Sequence, residues 1–237
     1  MTHSNLIKLH TEAAKIDTQL TKLCQSDEEI RELYRGIQVW FSPLVKNPEI
    51  MFLGINPGAG FYNHNNHQLV HSLVPLEINE YVDPKQDYDL KWEWQYVFGP
   101  KGLNRLDLLE KSVKTNFCYL ATDDEKAMKK LFTQIRGKLG IAPYEVFGNW
   151  TRQWVSDIHP KILICEGSGA LKYLKEWSFK DEYVCECQTD SMEKGVLKNI
   201  KNCDGDVCGD ITVLRFERNR SKFKNIEAVK DEISKYL

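Results

Sequence analysis

The sequence predicts an α/β fold with three layers, α/β/α, built on a four-stranded and mainly parallel sheet. The run EIMFLGI at residues 49–55 is almost entirely apolar and stops at Asn-Pro-Gly, as a strand buried on both faces does when it meets a loop. Further short apolar runs follow it, and segments with helical spacing separate them. Strands that alternate with helices are typical of right-handed crossovers and of a parallel sheet covered on both faces.

The N-terminal 47 residues are predicted to form a helical layer packed on that sheet. Apolar residues recur at helical spacing over residues 6–38, and Ser26 with Glu29 forms a capping-box pattern before a second helix. The later helices are expected at residues 103–111, after a second capping box at 122–125, and at 143–158, 168–177 and 225–237. We find no internal repeat and no linker, so residues 1–237 are expected to form a single domain.

The four strands of the sheet are expected at residues 49–55, 113–120, 161–165 and 210–216. The stretch over 58–102 is rich in Asn, His, Pro and aromatic residues, and we expect a functional loop region or a set of short excursions there. Within it, aromatic residues alternate from Trp92 to Phe98. This alternation favours an aromatic strand packed on the core over a wall on which bases stack.

The composition argues against several classes of protein. The apolar runs are far shorter than the ~20 residues of a membrane-spanning helix, and the N-terminus lacks the pattern of a secretory signal. Seven scattered cysteines do not suit the disulfide framework of a small secreted domain. We therefore expect a cytoplasmic monomer with reduced thiols. The net charge of −2 means that a nucleic-acid partner would need a local basic patch.

The residues that follow the four strands define the candidate site. Ligands of such sheets bind outside the carboxyl ends of the strands. Here those ends are residues 56–61, 116–122, 167–170 and 217–221. The first contains the loop GINPG at 54–58, which we expect to be the working loop, although Asn-Pro-Gly by itself is also an ordinary turn sequence.

Read together, the strand ends resemble the uracil-DNA glycosylase superfamily. GINPG matches the first motif of its mismatch-specific uracil/thymine branch and closely resembles that of the single-strand-selective branch. TNFCYL at 115–120 resembles the second-strand segment, with Tyr119 in place of a Pro, and HPKILICEGSGA at 159–170 resembles the third strand. Asn219-Arg220-Ser221 stands where the superfamily has His-Pro-Ser or Asn-Pro-Ser. The resemblance covers roughly residues 48–237, and its first motif is the specific one.

The resemblance implies a DNA glycosylase that flips uracil or another altered base out of the DNA and hydrolyses its N-glycosidic bond. Two residues would be catalytic. Asn56 would position the attacking water with its amide oxygen, and Asn219 would donate a hydrogen bond to the carbonyl of the leaving pyrimidine. Because an Asn cannot become a cation as a His can, stabilisation of a base anion would have to come from neutral donors or a nearby Arg. No cofactor is implied.

Other residues would bind the flipped base. The backbone N–H groups of the loop containing Gly54, Ile55 and Gly58 could face the departing base oxygen, since Gly permits close backbone approach. Asn116 would read the pyrimidine edge, because one amide offers both a donor and an acceptor. The alternative for Asn116 is a cap at a strand end. Phe61 and Tyr62 are the candidates for stacking on the base, which is worth ~1–3 kcal/mol per base.

A cluster of basic residues surrounds the last motif. Its members are Arg215, Arg218, Arg220, Lys222 and Lys224, against the single acid Glu217. Such a cluster suits phosphate contacts, although a charge run is more often a solvated face. The residues expected to contact DNA are Arg218, Arg220, Ser221 and Lys222.

Two clusters have partial metal-ligand spacing. His64, His67 and His71 would share one face of a helix, but their Asn-rich surroundings favour a polar loop. The C-terminal thiols are those of Cys185, Cys187, Cys203 and Cys208. Their Cys-x-Cys pair would share one face of a strand, and the second pair is wider than the usual Cys-x-x-Cys of zinc sites. We expect no bound metal and no iron–sulfur cluster.

Two other functions stay open at this point. One is a nucleic-acid-binding protein of the same fold with little or no catalysis, which the absent His and the Arg220 in place of Pro would suit. The other is a hydrolase or binding protein for small nucleotides or sugars, because one fold can host unrelated functions.

Overall fold

The computed structural model describes residues 3–58, 69–202, 204–219 and 222–237, with the side chains of residues 3–6 and of Asn219 outside the description. The described strands are β1 (Gly36–Gln38), β2 (Ile50–Gly54), β3 (Val70–Ser72), β4 (Val113–Asn116), β5 (Ile162–Cys165), β6 (Tyr183–Gln188), β7 (Met192–Lys201), β8 (Val207–Phe216), β9 (Arg218–Asn219) and β10 (Lys222–Phe223). The described α-helices are α1 (His3–Leu23), α2 (Glu28–Leu33), α3 (Asp89–Phe98), α4 (Leu106–Glu110), α5 (Glu125–Leu139), α6 (Pro143–Ile158), α7 (Ser168–Tyr173) and α8 (Ile226–Ser234). A π-helical turn, Leu174–Ser178, continues α7.

The α/β class predicted from the sequence is correct, but the four-stranded sheet is not. The main sheet has six strands in the order β4-β2-β5-β8-β7-β6. The four predicted strands are parallel to one another, and β7 and β6 extend the sheet in antiparallel fashion. The extension escaped prediction because its strands are rich in Lys, Glu and Cys, whereas a strand buried on both faces is a continuous apolar run.

The sheet is covered on both faces, and its strands divide their side chains between the two. In β2, Met51 and Leu53 belong to an apolar cluster with residues of α1, α5 and α6, whereas Ile50 and Phe52 belong to a second cluster with residues of α3, α4 and α8. This alternation follows from the two-residue period of a strand. The N-terminal helix α1 packs through Leu9, Ala13, Ile16 and Leu20, all buried.

The helical prediction for residues 6–38 fails at its end. Residues 36–38 form β1, which pairs in parallel with β3. Helix α2 ends because Tyr34 is extended, and Gly36 follows at a φ of 115°, a conformation that favours glycine. A Cβ at Gly36 would lie 2.1 Å from the carbonyl oxygen of Val70, so the close pairing of β1 with β3 also needs glycine.

The aromatic stretch at residues 92–98 is also not a strand. It lies in α3, where Trp94, Val97 and Phe98 are buried and Trp92 and Tyr96 are largely exposed. The buried positions have helical i, i+3 and i+4 spacing, which the alternation of aromatic residues obscured.

Both predicted capping boxes are displaced from the true caps. Asp27 caps α2 by accepting a hydrogen bond from Ile30 N, and Asp124 caps α5 by accepting one from Ala127 N. Asp is among the preferred N-cap residues because its carboxylate satisfies an otherwise unpaired amide. The hydroxyl of Thr122 is therefore not a helix cap, and it lies beside the predicted working loop instead.

None of the helices in the described part of the chain combines the length and the apolar character that crossing a bilayer requires.

Candidate functional site

A cavity of about 550 Å³ opens at the carboxyl edge of the four parallel strands. Each of these strands, or the chain directly after it, contributes a polar side chain: Asn56 after β2, Asn116 at the end of β4, Glu166 after β5 and Arg218 shortly after β8. This is the location at which ligands of such sheets bind. Three of the predicted segments, 56–61, 116–122 and 217–221, contribute lining residues. At the third strand the lining residue is Glu166, directly before the predicted segment 167–170.

Asn56 is held in one orientation by its side-chain nitrogen. Nδ2 donates to Thr122 Oγ1 at 2.9 Å and to the carbonyl of its neighbour Pro57 at 3.0 Å. Thr122 Oγ1 in turn donates to the carbonyl of Asp124 at 2.9 Å. Asn56 lines the cavity, and within the described residues no donor binds its amide oxygen.

The close approach of β2 and β4 brings Asn116 into the same cavity. Gly54 is opposite Asn116 in the sheet, and a Cβ on Gly54 would lie 2.0 Å from Asn116 Oδ1. The glycine is thus needed to leave room for this amide. Gly58 also lines the cavity and has open space where a Cβ would be.

Ile55 is not one of the described residues that line the cavity. Its side chain approaches Gly169, where a Cβ would lie 2.5 Å from Ile55 Cδ1, and its carbonyl accepts from Cys118 N at 2.8 Å. The role predicted for Ile55 concerns its backbone N–H and stays a prediction.

The floor of the cavity is a buried cluster of charges that the sequence did not reveal. Lys114 Nζ pairs with Glu80 and with Glu166, the latter at 3.2 Å, and donates to the hydroxyl of Tyr81 at 2.6 Å. The carboxylate of Glu166 also accepts from Tyr81 and, at 3.1 Å, from Trp94 Nε1. Two features of the sequence could have indicated this cluster: a lysine inside a buried strand, and an acid directly after β5.

Burial shifts the pKa values of the two central groups of this cluster, Glu166 and Lys114, in opposite directions. It raises the pKa of Glu166 to about 8, against the nearby positive charge of Arg218. It lowers the pKa of Lys114, against the attraction of Glu80. Both groups lose hydration, and each therefore depends on its partners to stay charged.

Two aromatic rings line the cavity near this cluster. Lys114 Nζ lies 5.9 Å from the ring centroid of Phe41 and 6.0 Å from that of Tyr88. The hydroxyl of Tyr88 is buried near the carboxylate of Glu80. Burial, and after it the negative charge of Glu80, raises the pKa of Tyr88. The predicted stacking residues Phe61 and Tyr62 lie outside the described residues.

The short strands β9 and β10 on either side of the last motif pair as a small antiparallel hairpin beside the cavity. Strands β9 and β10 pair through Arg218 with Phe223 and through Asn219 with Lys222, whose side chain is exposed. Arg218 Nη2 donates to the carbonyl of Glu166 at 2.7 Å. The side chain of Asn219 and the residues Arg220 and Ser221 lie outside the described part of the chain.

The basic patch is smaller than the sequence indicated. Arg215 is buried and pairs with Glu217, and Lys224 also lies 3.8 Å from that carboxylate. These two cations are therefore partly neutralised within the protein, whereas Arg218 and Lys222 stay at the hairpin.

The described residues contain no group of three or more potential metal ligands. The free thiols of Cys185 and Cys187 on β6 are separated from that of Cys208 on β8 by the intervening strand β7. Cys203, His64 and His67 lie outside the description. His71 is on β3, where its Nδ1 lies 2.7 Å from a carboxylate oxygen of Asp17.

Comparison with known proteins assigns no family to the chain. A scan against models of protein families finds no match. A search of curated proteins finds no relative either. A function for this site has to be argued from its geometry and from the motif resemblance.

Proposed function

We propose that the protein is a DNA N-glycosylase, which hydrolyses the bond between deoxyribose and uracil or another altered base. The observation that carries the proposal is the convergence of Asn56 and Asn116 on one cavity at the carboxyl edge of the sheet. Both residues come from motifs that resemble the uracil-DNA glycosylase superfamily. An enzyme of this kind must flip the nucleotide out of the duplex and hold its base in a pocket.

Asn56 is suited to orient the attacking water. Because Thr122 and Pro57 hold its amide nitrogen, the amide oxygen has a fixed direction and can accept a hydrogen bond from a water molecule. A neutral amide is a weak base, so its contribution is to place the water opposite the leaving base. The transition state resembles an oxocarbenium ion, which a positioned water can trap without being fully deprotonated.

Asn116 is suited to read the base. Asn116 is 5% exposed and lines the cavity, and its amide offers one donor and one acceptor to the edge of a pyrimidine. Gly54 keeps the neighbouring strand clear of this amide. A strand-end cap would not need a glycine opposite or a cavity in front of the side chain.

The aromatic contact to the base would come from Tyr88 or Phe41. Both rings line the cavity, and stacking of a base on an aromatic ring is worth ~1–3 kcal/mol. Tyr88 lies directly before α3.

The experiment is to measure release of free base from single- and double-stranded oligonucleotides that contain uracil, a 5-substituted uracil or hypoxanthine. We expect release by the wild type and a loss of at least about 10²-fold in Asn56→Ala, which is the usual size of such a catalytic contribution. Thr122→Val should lose part of the rate, because the Asn56 amide would lose its strongest anchor.

The matched control is Asn149→Ala. Asn149 is exposed on α6 and does not line the cavity, so this variant should keep the wild-type rate. Absence of base release from every substrate would contradict the proposal. Salt-sensitive DNA binding without any release would instead favour a binding protein of the same fold.

A further inference from the structure

The two cations that line the cavity differ in what neutralises them. Lys114 Nζ faces the carboxylates of Glu80 and Glu166, so its positive charge is already balanced inside the protein. Arg218 makes no salt bridge within the described residues, and its hydrogen bond goes to a neutral backbone carbonyl. Arg218 is therefore a cavity cation without a paired carboxylate among the described residues, although its charge also acts on the nearby Glu166.

The guanidinium of Arg218 is also fixed in position. Nη2 donates to the carbonyl of Glu166 at 2.7 Å, and the group lies over Gly167, where a Cβ would be 3.2 Å from Nη2. Gly167 has a φ of 108°, so its backbone conformation favours glycine. Pairing of Arg218 with Phe223 in the hairpin holds the backbone of the same residue.

We propose that Arg218 stabilises the negative charge that develops on the leaving base, a role that rests on the proposed glycosylase activity. The C1′–N bond breaks and both of its electrons leave with the base, which places negative charge on a ring carbonyl oxygen. The oxygen of water bonds to C1′. One proton of that water ends on the base, so the products are the free base and an abasic sugar.

A fixed cation beside the leaving base is an effective way to stabilise such an anion, because no reorganisation is needed as the charge develops. The resembling superfamily has a His at the last motif, where this chain has Asn219. Arg218 is the preceding residue, and its guanidinium reaches the cavity that Asn56 and Asn116 share. The charge that Asn219 cannot carry is therefore supplied one residue earlier.

The alternative role of Arg218 is contact with a DNA phosphate. The two roles differ in their experimental signature: one affects binding and its salt dependence, and the other makes the rate depend on the leaving base. A phosphate contact lowers affinity for every substrate alike and contributes to the salt dependence of binding. Stabilisation of the leaving base matters less when the base is itself a more stable anion, as 5-fluorouracil is compared with uracil.

The test is the single-turnover rate of release of uracil and of 5-fluorouracil from otherwise identical oligonucleotides at saturating enzyme. For Arg218→Gln we expect a loss of about 10²-fold with uracil and about 10-fold or less with 5-fluorouracil, in line with the removal of one transition-state donor. Arg218→Lys should recover part of the uracil rate. The thermal midpoint of each variant checks that it is folded.

Arg136→Gln is the control, because Arg136 is exposed on α5 and does not line the cavity. Equal losses with the two bases, accompanied by weaker salt dependence of binding, would overturn the role and assign Arg218 to phosphate contact. A wild type that releases no base from any of the oligonucleotides, those with hypoxanthine included, would contradict the proposed function itself, which separates that failure from failure of this inference.

Discussion

Two ion pairs of the main sheet, one in its parallel half and one at its antiparallel edge, differ in how far they are buried. Every residue of β2, β4 and β5 in the parallel half is buried, whereas every residue of the edge strand β6 is at least partly exposed. The parallel half nevertheless contains Lys114, which is buried with two carboxylates. In the antiparallel half, Lys194 and Glu186 pair at 3.1 Å while both stay in contact with solvent.

This difference separates two uses of an ion pair. Burial removes hydration from Lys114 and its partners, so each depends on the others, and the cluster gives the cavity a fixed floor. The exposed pair on β6 and β7 keeps its hydration and competes with water and salt. The candidate site lies in the half where the charges are costly to separate.

Removal of the buried cation should have the largest effect. Lys114→Met should lower the free energy of unfolding by about 3–5 kcal/mol, because it leaves the carboxylate of Glu80 buried without its cation. Denaturation in urea at neutral pH measures this change. The double variant with Glu80→Gln should be less destabilised than the sum of the single variants. A loss below about 1 kcal/mol would mean that the cluster is no more sensitive than a surface pair.

The same cluster should make the free energy of unfolding depend on pH, with an effect smaller than that of removing Lys114. The pKa of Glu166 is raised from 4.5 to about 8, so the native state keeps this proton to higher pH than the unfolded chain does. Its stabilising contribution is present below pH 4.5 and is lost as the pH rises through about 8. The slope contributed by one such group is at most about 1.4 kcal/mol per pH unit.

Glu166→Gln provides the comparison for this prediction. The free energy of unfolding can be measured by urea denaturation at about pH 5, 6, 7 and 8, which spans the titration range. It should fall more steeply with pH in the wild type than in the variant. Parallel curves for the two proteins would show that Glu166 titrates at its ordinary pKa in the folded state.

The exposed pair should contribute least. Lys194→Met removes the partner of Glu186 on the antiparallel half, and we expect a change of about 0–1 kcal/mol in the free energy of unfolding. High salt should reduce the effect further. A loss as large as that of Lys114→Met would remove the distinction between the two halves.

Much of the parallel half could be predicted because its strands have a distinct pattern. The apolar run that becomes β2 ends at Asn-Pro-Gly, and the chain does leave the sheet there. The antiparallel half could not be predicted in the same way. The sequence of β6 mixes Val with Glu, Gln and Cys, and pairing with β7 across the sheet decides its conformation rather than its own propensity.

The candidate site was predicted in its loop residues but not in its floor. Asn56 and Asn116 follow from the rule that ligands bind at the carboxyl ends of strands. No such rule places Lys114 and Glu80 in the site, because a single Lys or Glu in a sequence usually lies on the surface. Only tertiary packing brings Glu80 from an irregular segment next to Lys114 of β4. Tyr88 was overlooked for the same reason.

The buried cluster also has a consequence for how the protein reaches its working state. Its charged members come from three separate parts of the chain, at Glu80, Lys114 and Glu166, and Trp94 of α3 completes it. No short fragment contains them all. Contacts between residues this far apart in sequence form only after long segments have been ordered, which is slow. Ligand binding in the cavity should therefore report complete folding, and it should return no earlier than the last phase of refolding.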